Sequence, residues 1–387
     1  MARKPLPANR RRPAGAPLPR RSAGFNLLEL MIGSAIGTVA TLVIANVLLV
    51  AEGQRRSVTA GSDAQVNGSL SLYSIQRDVQ MAGYGLSWLI SLGCEIRAKR
   101  DGVSFSWTLT PVLITDGADG APDSITVLAS ASDTYSAPVR VVADHPPEAA
   151  NFFVNTTIGV REGDLMLAVP PVIDADNWCS VFNVTGLGGA GGGGGGGGQG
   201  QGQNQVLHAP GNDGPWNQPG GQTIFPDAGY PAGSFLVNLG PMVNRTYSVS
   251  AGNALRLTGL DTANGTITTR DLFPGIVNLQ AYYGLDTDAD GTVDRYTATT
   301  PATNAAWRQL VAVRMAIVAR SEQFEKEDVT FADRPWDVGT AVPVDGSASC
   351  GDSRCVTLKV SHLSEWKRYR YKIFDVVVPV RNMLWHL

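Results

Sequence analysis

A long apolar run near the start of the chain restricts what the chain can fold into. Residues 25–51 read FNLLELMIGSAIGTVATLVIANVLLVA, and no residue from Leu30 to Ala51 is charged. A helix needs roughly 20 apolar residues to cross the hydrocarbon core of a bilayer, so the run predicts a transmembrane helix. Glu29 lies inside this run. Because an ionisable group in a membrane helix is costly, Glu29 requires a partner or a function.

Positive charge is concentrated ahead of the run. Residues 1–24 contain seven basic residues and no acidic one, whereas the rest of the chain has 24 basic and 34 acidic residues. The seven are Arg3, Lys4, Arg10, Arg11, Arg12, Arg20 and Arg21. Flanks rich in Lys and Arg stay on the cytoplasmic side, so we expect the chain after residue 52 to lie in the periplasm. The acidic body argues against a nucleic-acid partner held by phosphate contacts.

The helix is expected to continue beyond the membrane. Residues 52–82 contain no proline, and Leu72, Ile75 and Val79 recur in them at helical spacing. Three glycines, each of which weakens a helix by about 1 kcal/mol relative to Ala, suggest bends or frayed turns. They are Gly53, Gly61 and Gly68. With GYG at 83–85 as the stop signal, we predict one helix over 25–85, transmembrane over 25–51 and amphipathic after it.

Short β-like runs separated by turn residues follow from residue 86. The predicted strands are SITVLAS (124–130), VRVVAD (139–144), SFLVNLG (234–240), NALRLTGL (253–260), GTITTRDL (265–272), LVAVRMAIVAR (310–320) and YRYKIFDVVVPV (369–380). A helix stays open for 310–320. The Asn264-Gly265 dipeptide predicts a hairpin between its two flanking strands. The fold class is therefore α+β, with a long N-terminal helix and an antiparallel β-rich globular head over 86–387.

A glycine-rich stretch interrupts the β-like region. Residues 188–202 read GGAGGGGGGGGQGQG. A phosphate cradle would need a following Lys-Ser/Thr or a flanking strand and helix, and the sequence has neither. Low complexity predicts a flexible surface loop, which the Pro-, Asn- and Gly-rich residues 203–232 extend. We therefore predict a flexible insertion at about 186–232.

Four cysteines all fall in the part expected to be exported. They are Cys94, Cys179, Cys350 and Cys355. An even number in an oxidising compartment predicts two disulfides, for which three connectivities exist. Because Cys350 and Cys355 bracket the turn-forming residues GDSR, we predict that pair and, by elimination, Cys94 with Cys179. Four free thiols stay open, whereas a zinc site lacks a second close Cys or His pair.

Three interpretations of the N-terminus fail to account for all its features. A cleaved secretory signal requires a shorter apolar core and a small-x-small cleavage site. The Arg20-Arg21 pair suggests a twin-arginine signal, but Glu29 in the apolar core argues against it. A plain single-pass anchor explains everything except Glu29.

The segment GFNLLELMI (24–32) resembles the class III signal of type IV pilins and pseudopilins. The shared features are a basic leader, Gly24 as its last residue, an aromatic Phe25 and a glutamate fifth in the mature chain, here Glu29. The resemblance implies that residues 1–24 are a cytoplasmic leader, removed by a prepilin peptidase that cleaves after Gly24 and methylates Phe25. It also implies that Glu29 is an assembly contact. A neighbouring subunit's terminal ammonium would neutralise this carboxylate in an apolar helix bundle.

Later segments are similar, in order, to blocks of PilW-type minor pilins. They are LYSIQRDVQMAGYG (72–85), VREGDLMLA (160–168), VNLQAYYGLDTDADGTVDRY (277–296), WRQLVAVRMAIVARS (307–321) and RYRYKIFDVVVPVRN (368–382). The resemblance implies a type IV pilin-like fold and a role in pilus assembly, in a priming or tip complex. The implied partners are the prepilin peptidase, other minor pilins, the major pilin and the inner membrane. A minor pseudopilin of a type II secretion system and a membrane-anchored calcium-dependent binding module stay open as alternatives.

The segment DTDADGTVD (286–294) has the spacing of a calcium-binding loop. Asp286, Asp288, Asp290, Gly291 and Asp294 match loop positions 1, 3, 5, 6 and 9, and Thr292 offers its carbonyl at position 7. Position 12 is Thr297, where a bidentate Glu is expected. Hard oxygen ligands favour calcium over transition metals. A solvated acidic turn between strands is the alternative.

Motifs for enzymatic chemistry are not found in the sequence. Its four histidines, His145, His208, His362 and His386, have no ligand spacing, and no nucleophile-elbow or paired-carboxylate motif stands out. WKRYRY (366–371) mixes aromatic and basic residues, as single-strand nucleic-acid sites do. In an acidic exported chain a strand face explains it better, with Trp366 and Tyr369 as core or subunit contacts. We therefore expect a protein that is not an enzyme.

Overall fold

The computed structural model describes residues 24, 26–85, 91–130, 137–188, 204–209, 214–217 and 224–384. The chain divides into two compact units, residues 1–56 and 57–387. An apolar helix fills the described part of the first unit, and the second unit is rich in β-strands. The α+β layout predicted from the sequence is confirmed at this level.

Within the described residues the helices are α1 (Leu27–Met81), α2 (Asn304–Trp307) and α3 (Arg381–Leu384). The strands of the first half are β1 (Glu95–Arg100), β2 (Val103–Thr108), β3 (Val112–Thr115), β4 (Ser124–Ser130), β5 (Val139–Arg140), β6 (Asn151–Val154), β7 (Leu165–Val169), β8 (Cys179–Asn183), β9 (Gly186–Gly188), β10 (Asn204–Leu207) and β11 (Phe235–Asn238). The second half contains β12 (Met242–Val249), β13 (Ala254–Asp261), β14 (Thr266–Pro274), β15 (Ile276–Leu285), β16 (Arg295–Thr297), β17 (Leu310–Arg320), β18 (Arg334–Asp337), β19 (Ala348–Cys350), β20 (Ser353–Leu358) and β21 (Tyr371–Pro379).

The first part of α1 has the properties of a membrane span. Among the described residues, Leu27–Gly53 is the one helical segment long and apolar enough to cross a bilayer. Its large hydrophobic side chains between Leu27 and Val50 are each 52 to 75% exposed. A helix that is apolar all round requires an apolar surrounding, which a bilayer supplies. Helical structure continues through the three glycines at which the sequence suggested bends.

In the second unit, one face of α1 packs into a large cluster of buried hydrophobic residues, which we call the main core. Ala64, Leu72, Ile75 and Val79 are buried in it. Gly68 lies on the same face, where an added Cβ would lie 2.2 Å from Cε2 of Phe374 on β21. This glycine therefore permits close approach of the helix to the sheet, which offsets its low helix propensity.

A buried carboxylate, that of Asp78, joins the end of α1 to strand β12. Asp78 is 7% exposed and its Oδ2 accepts hydrogen bonds from Arg245 Nη1 at 2.9 Å and Tyr247 Oη at 2.7 Å. Arg77 also contacts its Oδ1, at 3.3 Å. Burial and the neighbouring Asp78 carboxylate raise the pKa of Tyr247. These charge-assisted bonds fix the helix against β12, since each is stronger than a neutral hydrogen bond.

Two antiparallel sheets flank the main core. One has the order β16-β15-β17-β21 and the other the order β14-β13-β12-β4-β3. β4 and β17 have the predicted bounds of 124–130 and 310–320, so the helix left open for 310–320 is excluded. β13 and β14 form the predicted hairpin, with Asp261 opposite Thr266. The connection is longer than the predicted dipeptide, because residues 262–265 all lie between these partners.

A six-stranded sheet of order β2-β1-β8-β7-β11-β5 contains the first disulfide. Its pair β1 and β8 is parallel, with Ile96 opposite Cys179, so the head is not purely antiparallel as predicted. Parallel neighbours arise here because the strands are joined by a long excursion of chain rather than a hairpin. Cys94 and Cys179 form a disulfide between buried residues, and Cys350 and Cys355 form the other, at the β19–β20 hairpin. The structure therefore contains the two predicted pairs.

The predicted flexible insertion at 186–232 is wrong at both ends. β9 and β10 lie within it, and β10 pairs with β9 on one side and with β6 on the other. Further along, Trp216, Ile224, Phe225 and Tyr230 are at most 2% exposed. Burial of these large apolar side chains stabilises this part of the chain in the core. The high glycine and proline content of the segment predicts a flexible loop and does not reveal this burial. The run at 189–203 lies outside the described residues.

Two histidines that are far apart in the sequence meet in an aromatic cluster. His145 and His208 are 2% and 4% exposed, and their Nε2 atoms lie 2.9 Å apart. The ring of His145 stacks on Phe152 at 3.7 Å between centroids, and Phe225 contacts both histidines edge-on at 5.3 Å. Burial lowers the pKa of His145 to about 4 and that of His208 to about 3. Both rings are therefore neutral at neutral pH.

This pair makes the fold sensitive to acid. Below pH about 6.5 the unfolded histidines bind protons that the folded ones do not, so each removes about 1.4 kcal/mol of stability per pH unit as the pH falls towards its folded pKa. We expect His208→Gln, which keeps a hydrogen-bond partner for His145, to reduce this slope between pH 6.5 and 4.5 by about half. Urea unfolding followed by circular dichroism measures it.

Two comparisons make this measurement specific. Asp123 acts in the opposite direction, because burial raises its pKa to about 7 and its contribution to stability grows as the pH falls. That contribution is common to both proteins and cancels in the difference. His362→Gln, at an exposed histidine, serves as the control. An equal slope in the wild type and His208→Gln would contradict the assignment.

Candidate functional sites at the helix start and in the acidic loop

The first candidate site is the start of α1. Gly24 is exposed and precedes the first helical turn, while Phe25 lies outside the described residues. α1 begins at Leu27, which places Glu29 in its first turn with an exposed side chain. The carboxylate is thus available to a group outside this chain.

Local hydrogen bonds at this helix start were not foreseen from the sequence. The Asn26 N–H donates to Glu29 Oε2, and the Leu28 N–H donates to Asn26 Oδ1, both at 3.4 Å. Glu29, at position N3, thus bonds back to the N-cap residue as in a capping box, whereas the Asn26 side chain accepts from position N2 rather than N3. The Asn-x-x-Glu spacing was the available signal. Because both distances are long for N–H···O bonds, the cap is weak and leaves the carboxylate free to accept a stronger donor.

The second candidate site is the acidic loop between β15 and β16. Asp286 is 3% exposed, and its carboxylate accepts the N–H groups of Ala289 at 2.7 Å and Gly291 at 2.8 Å. Asp294 Oδ2 accepts the N–H and the hydroxyl of Thr287 at 2.7 and 2.6 Å. Gly291, at φ +86°, permits the sharp turn that closes the loop.

Three of the predicted calcium ligands come together. One carboxylate oxygen from each of Asp286, Asp288 and Asp294 lies within 4.8 Å of the others. Asp290 is not in this group, because its Oδ1 accepts both the N–H and the hydroxyl of Thr292 at 2.7 Å. Thr297, at position 12, is buried in β16. The loop therefore offers three carboxylates rather than the four that spacing predicts.

Electrostatics of the loop favour a cation. Partial desolvation, with repulsion from Asp290 and Asp294, raises the pKa of Asp288. Hydrogen bonds from Thr287 lower the pKa of Asp294 and keep it ionised. A divalent cation among these oxygens would relieve the repulsion, and carboxylate oxygens are the ligands that calcium prefers.

Comparison with known proteins identifies the C-terminal part of the chain. The family model of PilW, the type IV pilus-assembly protein W, matches residues 245–382. The C-terminal part of the chain is therefore similar to the PilW family. The matched range runs from within β12 into α3 and includes the acidic loop. No curated protein and no solved structure matches the chain. The match connects this part of the chain with type IV pilus assembly.

Proposed function

We propose that the chain is a minor pilin that takes part in type IV pilus assembly, in a priming or tip complex. The observation that carries the proposal is the PilW match over residues 245–382. The membrane-length apolar segment of α1 supports it, because filament precursors must be held in the inner membrane before assembly. The proposed role is structural and not enzymatic, with other minor pilins and the major pilin as partners.

Processing by a prepilin peptidase is part of this proposal. Gly24 would be the last residue of the leader and Phe25 the methylated first residue of the mature chain. The exposed, non-helical backbone at Gly24 supports access by a peptidase. Cleavage would leave a terminal amine close to the first turn of α1, where it can meet the carboxylate of another subunit.

Glu29 would be the residue that makes this contact. Its side chain is exposed in the first turn of a helix whose neighbouring residues are apolar. In a membrane, an unpaired carboxylate is costly, and an ammonium group from a neighbouring subunit compensates it. The helix N-terminus also favours a negative charge at this position.

Deletion of the gene in the source bacterium tests the proposed role. We expect the deletion strain to lose surface pili, as counted by electron microscopy, and the full-length chain supplied in trans to restore them. Unchanged pilus numbers in the deletion strain would contradict the proposal.

We also propose that the acidic loop binds calcium through Asp286, Asp288 and Asp294. The ion would tie the start of the loop to its end and so rigidify the connection between β15 and β16. Asp290 and Thr292 would hold the loop in shape, since they bond to each other.

Calcium binding should depend on Asp288 in particular. Its side chain is exposed and supports the loop only through a 3.3 Å contact with the Asp290 N–H, so Asp288→Asn should leave the fold intact. We expect this change to weaken calcium binding in isothermal titration calorimetry by about tenfold or more, because affinity follows ligand charge. Asp352→Asn, in another exposed turn, is the matched control. Equal affinities of all three proteins would exclude the loop as the site.

A further inference from the structure

An exposed aromatic surface lies on the second unit. Its members are Phe324, Phe331, Trp366 and Tyr369, which we call the aromatic platform. Phe324 and Phe331 are 62% and 76% exposed. Trp366 and Tyr369 are half-buried and pack on the core under them. Large exposed aromatic side chains held together in this way mark an interaction surface more often than scattered ones do.

Hydrogen bonds hold the loop of the aromatic platform against the segment that contains Trp366 and Tyr369. The Glu325 N–H donates to the Arg368 carbonyl at 2.7 Å, and the Val329 N–H donates to the Lys367 carbonyl at 2.8 Å. The Thr330 hydroxyl donates to the Tyr369 carbonyl at 2.6 Å. The loop that contains Glu325, Val329 and Thr330 is thus fixed to the segment 367–369.

Ring contacts add to this support. Phe324 meets Tyr369 edge-on at 6.4 Å between centroids. The guanidinium of Arg320 lies 4.0 Å from the centre of the Tyr369 ring. Phe324 therefore lies on a base that hydrogen bonds and ring contacts hold in place, and Phe331 directly follows Thr330, which is bonded to the same base.

The platform is close in structure to the start of the packed part of α1. The Tyr371 hydroxyl donates to the Trp366 carbonyl at 3.1 Å, and the next residue, Lys372, donates to Gln65 Oε1 at 2.5 Å. Gln65 follows the apolar segment, which ends at Gly53, by twelve residues. Even fully extended, twelve residues span at most about 43 Å.

The twelve residues between Gly53 and Gln65 limit the distance between the aromatic platform and a bilayer. If the segment Leu27–Gly53 is in a bilayer, as proposed above, Gln65 cannot move more than a few nanometres from its surface. A surface tethered at this distance meets the bilayer at an effective concentration of about millimolar. Trp and Tyr side chains are enriched at the boundary between headgroups and acyl chains, and Phe side chains occur on the buried face of interfacial segments.

The charges around the platform favour apolar contact over electrostatic attraction. Residues 320–331 and 365–370 together contain five basic and five acidic residues. Arg370 and Glu325 pair at 2.8 Å, which neutralises one pair of them. A surface with equal numbers of basic and acidic residues has no net attraction to anionic lipid. Binding to a bilayer would therefore come from burial of the aromatic rings.

We infer that the aromatic platform docks the second unit on the surface of the bilayer that holds α1, with Phe324 and Phe331 inserted at the headgroup boundary. The inference rests on the proposed membrane anchoring. Docking would hold the subunit at the membrane before it enters a filament, and release would accompany incorporation.

Photolabelling of the full-length chain in nanodiscs tests the inference. The discs contain phosphatidylcholine and a small fraction of the same lipid with a diazirine close to the glycerol backbone. After irradiation and digestion, mass spectrometry locates the lipid adducts. We expect adducts both on the apolar segment of α1 and on peptides containing Phe324, Phe331 or residues 366–370.

Two double variants make the test specific. F324S/F331S should lower the platform adducts by about tenfold or more while the adducts on α1 stay constant. I158S/V172S removes two exposed apolar side chains elsewhere on the same unit, at 84% and 62% exposure, and should change neither set. A loss that both double variants share would reflect general surface hydrophobicity and overturn the assignment.

The remaining outcomes separate this inference from the proposal beneath it. Adducts on α1 without any on the platform would overturn docking and leave the membrane anchor intact. Adducts on neither would overturn the anchor itself. A crosslink from the platform to a second copy of the chain, without lipid adducts, would assign this surface to protein contacts and overturn the bilayer as its partner.

Discussion

Glu29→Ala is expected to abolish assembly of the chain into pili without releasing it from the membrane. The carboxylate would compensate the terminal ammonium of a neighbouring subunit in an apolar surrounding. Removing one partner of such a buried pair costs about 3–5 kcal/mol. That corresponds to more than about a hundredfold in the equilibrium for incorporation. Immunoblots of sheared pili and of membranes from the complemented deletion strain measure the two quantities.

Matched variants separate the pairing from effects on the helix. Glu29→Gln keeps the size of the side chain and its capping geometry but removes the charge, so we expect it to behave as Glu29→Ala does. Glu52→Ala changes a carboxylate at the far end of the apolar segment and should assemble normally. Normal assembly of Glu29→Gln would assign Glu29 to the helix cap alone.

Loss of the Cys94–Cys179 disulfide should produce the largest effect on stability. The bond closes a loop with a sequence separation of 85 and joins the parallel strand pair β1 and β8 of the six-stranded sheet. Loop-closure entropy gives about 4–5 kcal/mol for a loop of this length. We expect Cys94→Ala/Cys179→Ala to lower the free energy of unfolding by about this amount, measured by urea denaturation under non-reducing conditions.

The second disulfide provides the internal control. Cys350 and Cys355 have a sequence separation of only 5, in a hairpin that hydrogen bonds already close. The same relation gives about 2 kcal/mol for this pair. If Cys350→Ala/Cys355→Ala destabilises the protein as much as the first double variant does, loop length is not what determines the contribution.

Sequence patterns were sufficient where the physical signal is local. The run from Leu30 to Ala51 identifies its helix because membrane thickness sets a minimum length. β17 was located at its observed bounds because its apolar residues are bounded by polar and turn-forming ones. The loop at 286–294 keeps its predicted turn, since aspartates and a glycine at fixed offsets fold back on their own backbone.

Contacts between distant segments could not be read from the sequence. The predicted strand 139–144 is regular only at Val139–Arg140, because Val141 and Val142 then bond to two different segments. His145 and His208 are 63 residues apart, so no spacing motif connects them. Asp290 is not among the clustered carboxylates because its Oδ1 accepts two hydrogen bonds from Thr292. The spacing of residues in the loop does not predict this local hydrogen bonding.

Processing after Gly24 is tested by the intact mass and N-terminal sequence of the chain from membranes with and without a prepilin peptidase. We expect a mature protein that begins at methylated Phe25 only when the peptidase is present. An unprocessed start at Met1 or Ala2 in both membranes would contradict processing after Gly24 and leave a membrane-anchored exported protein.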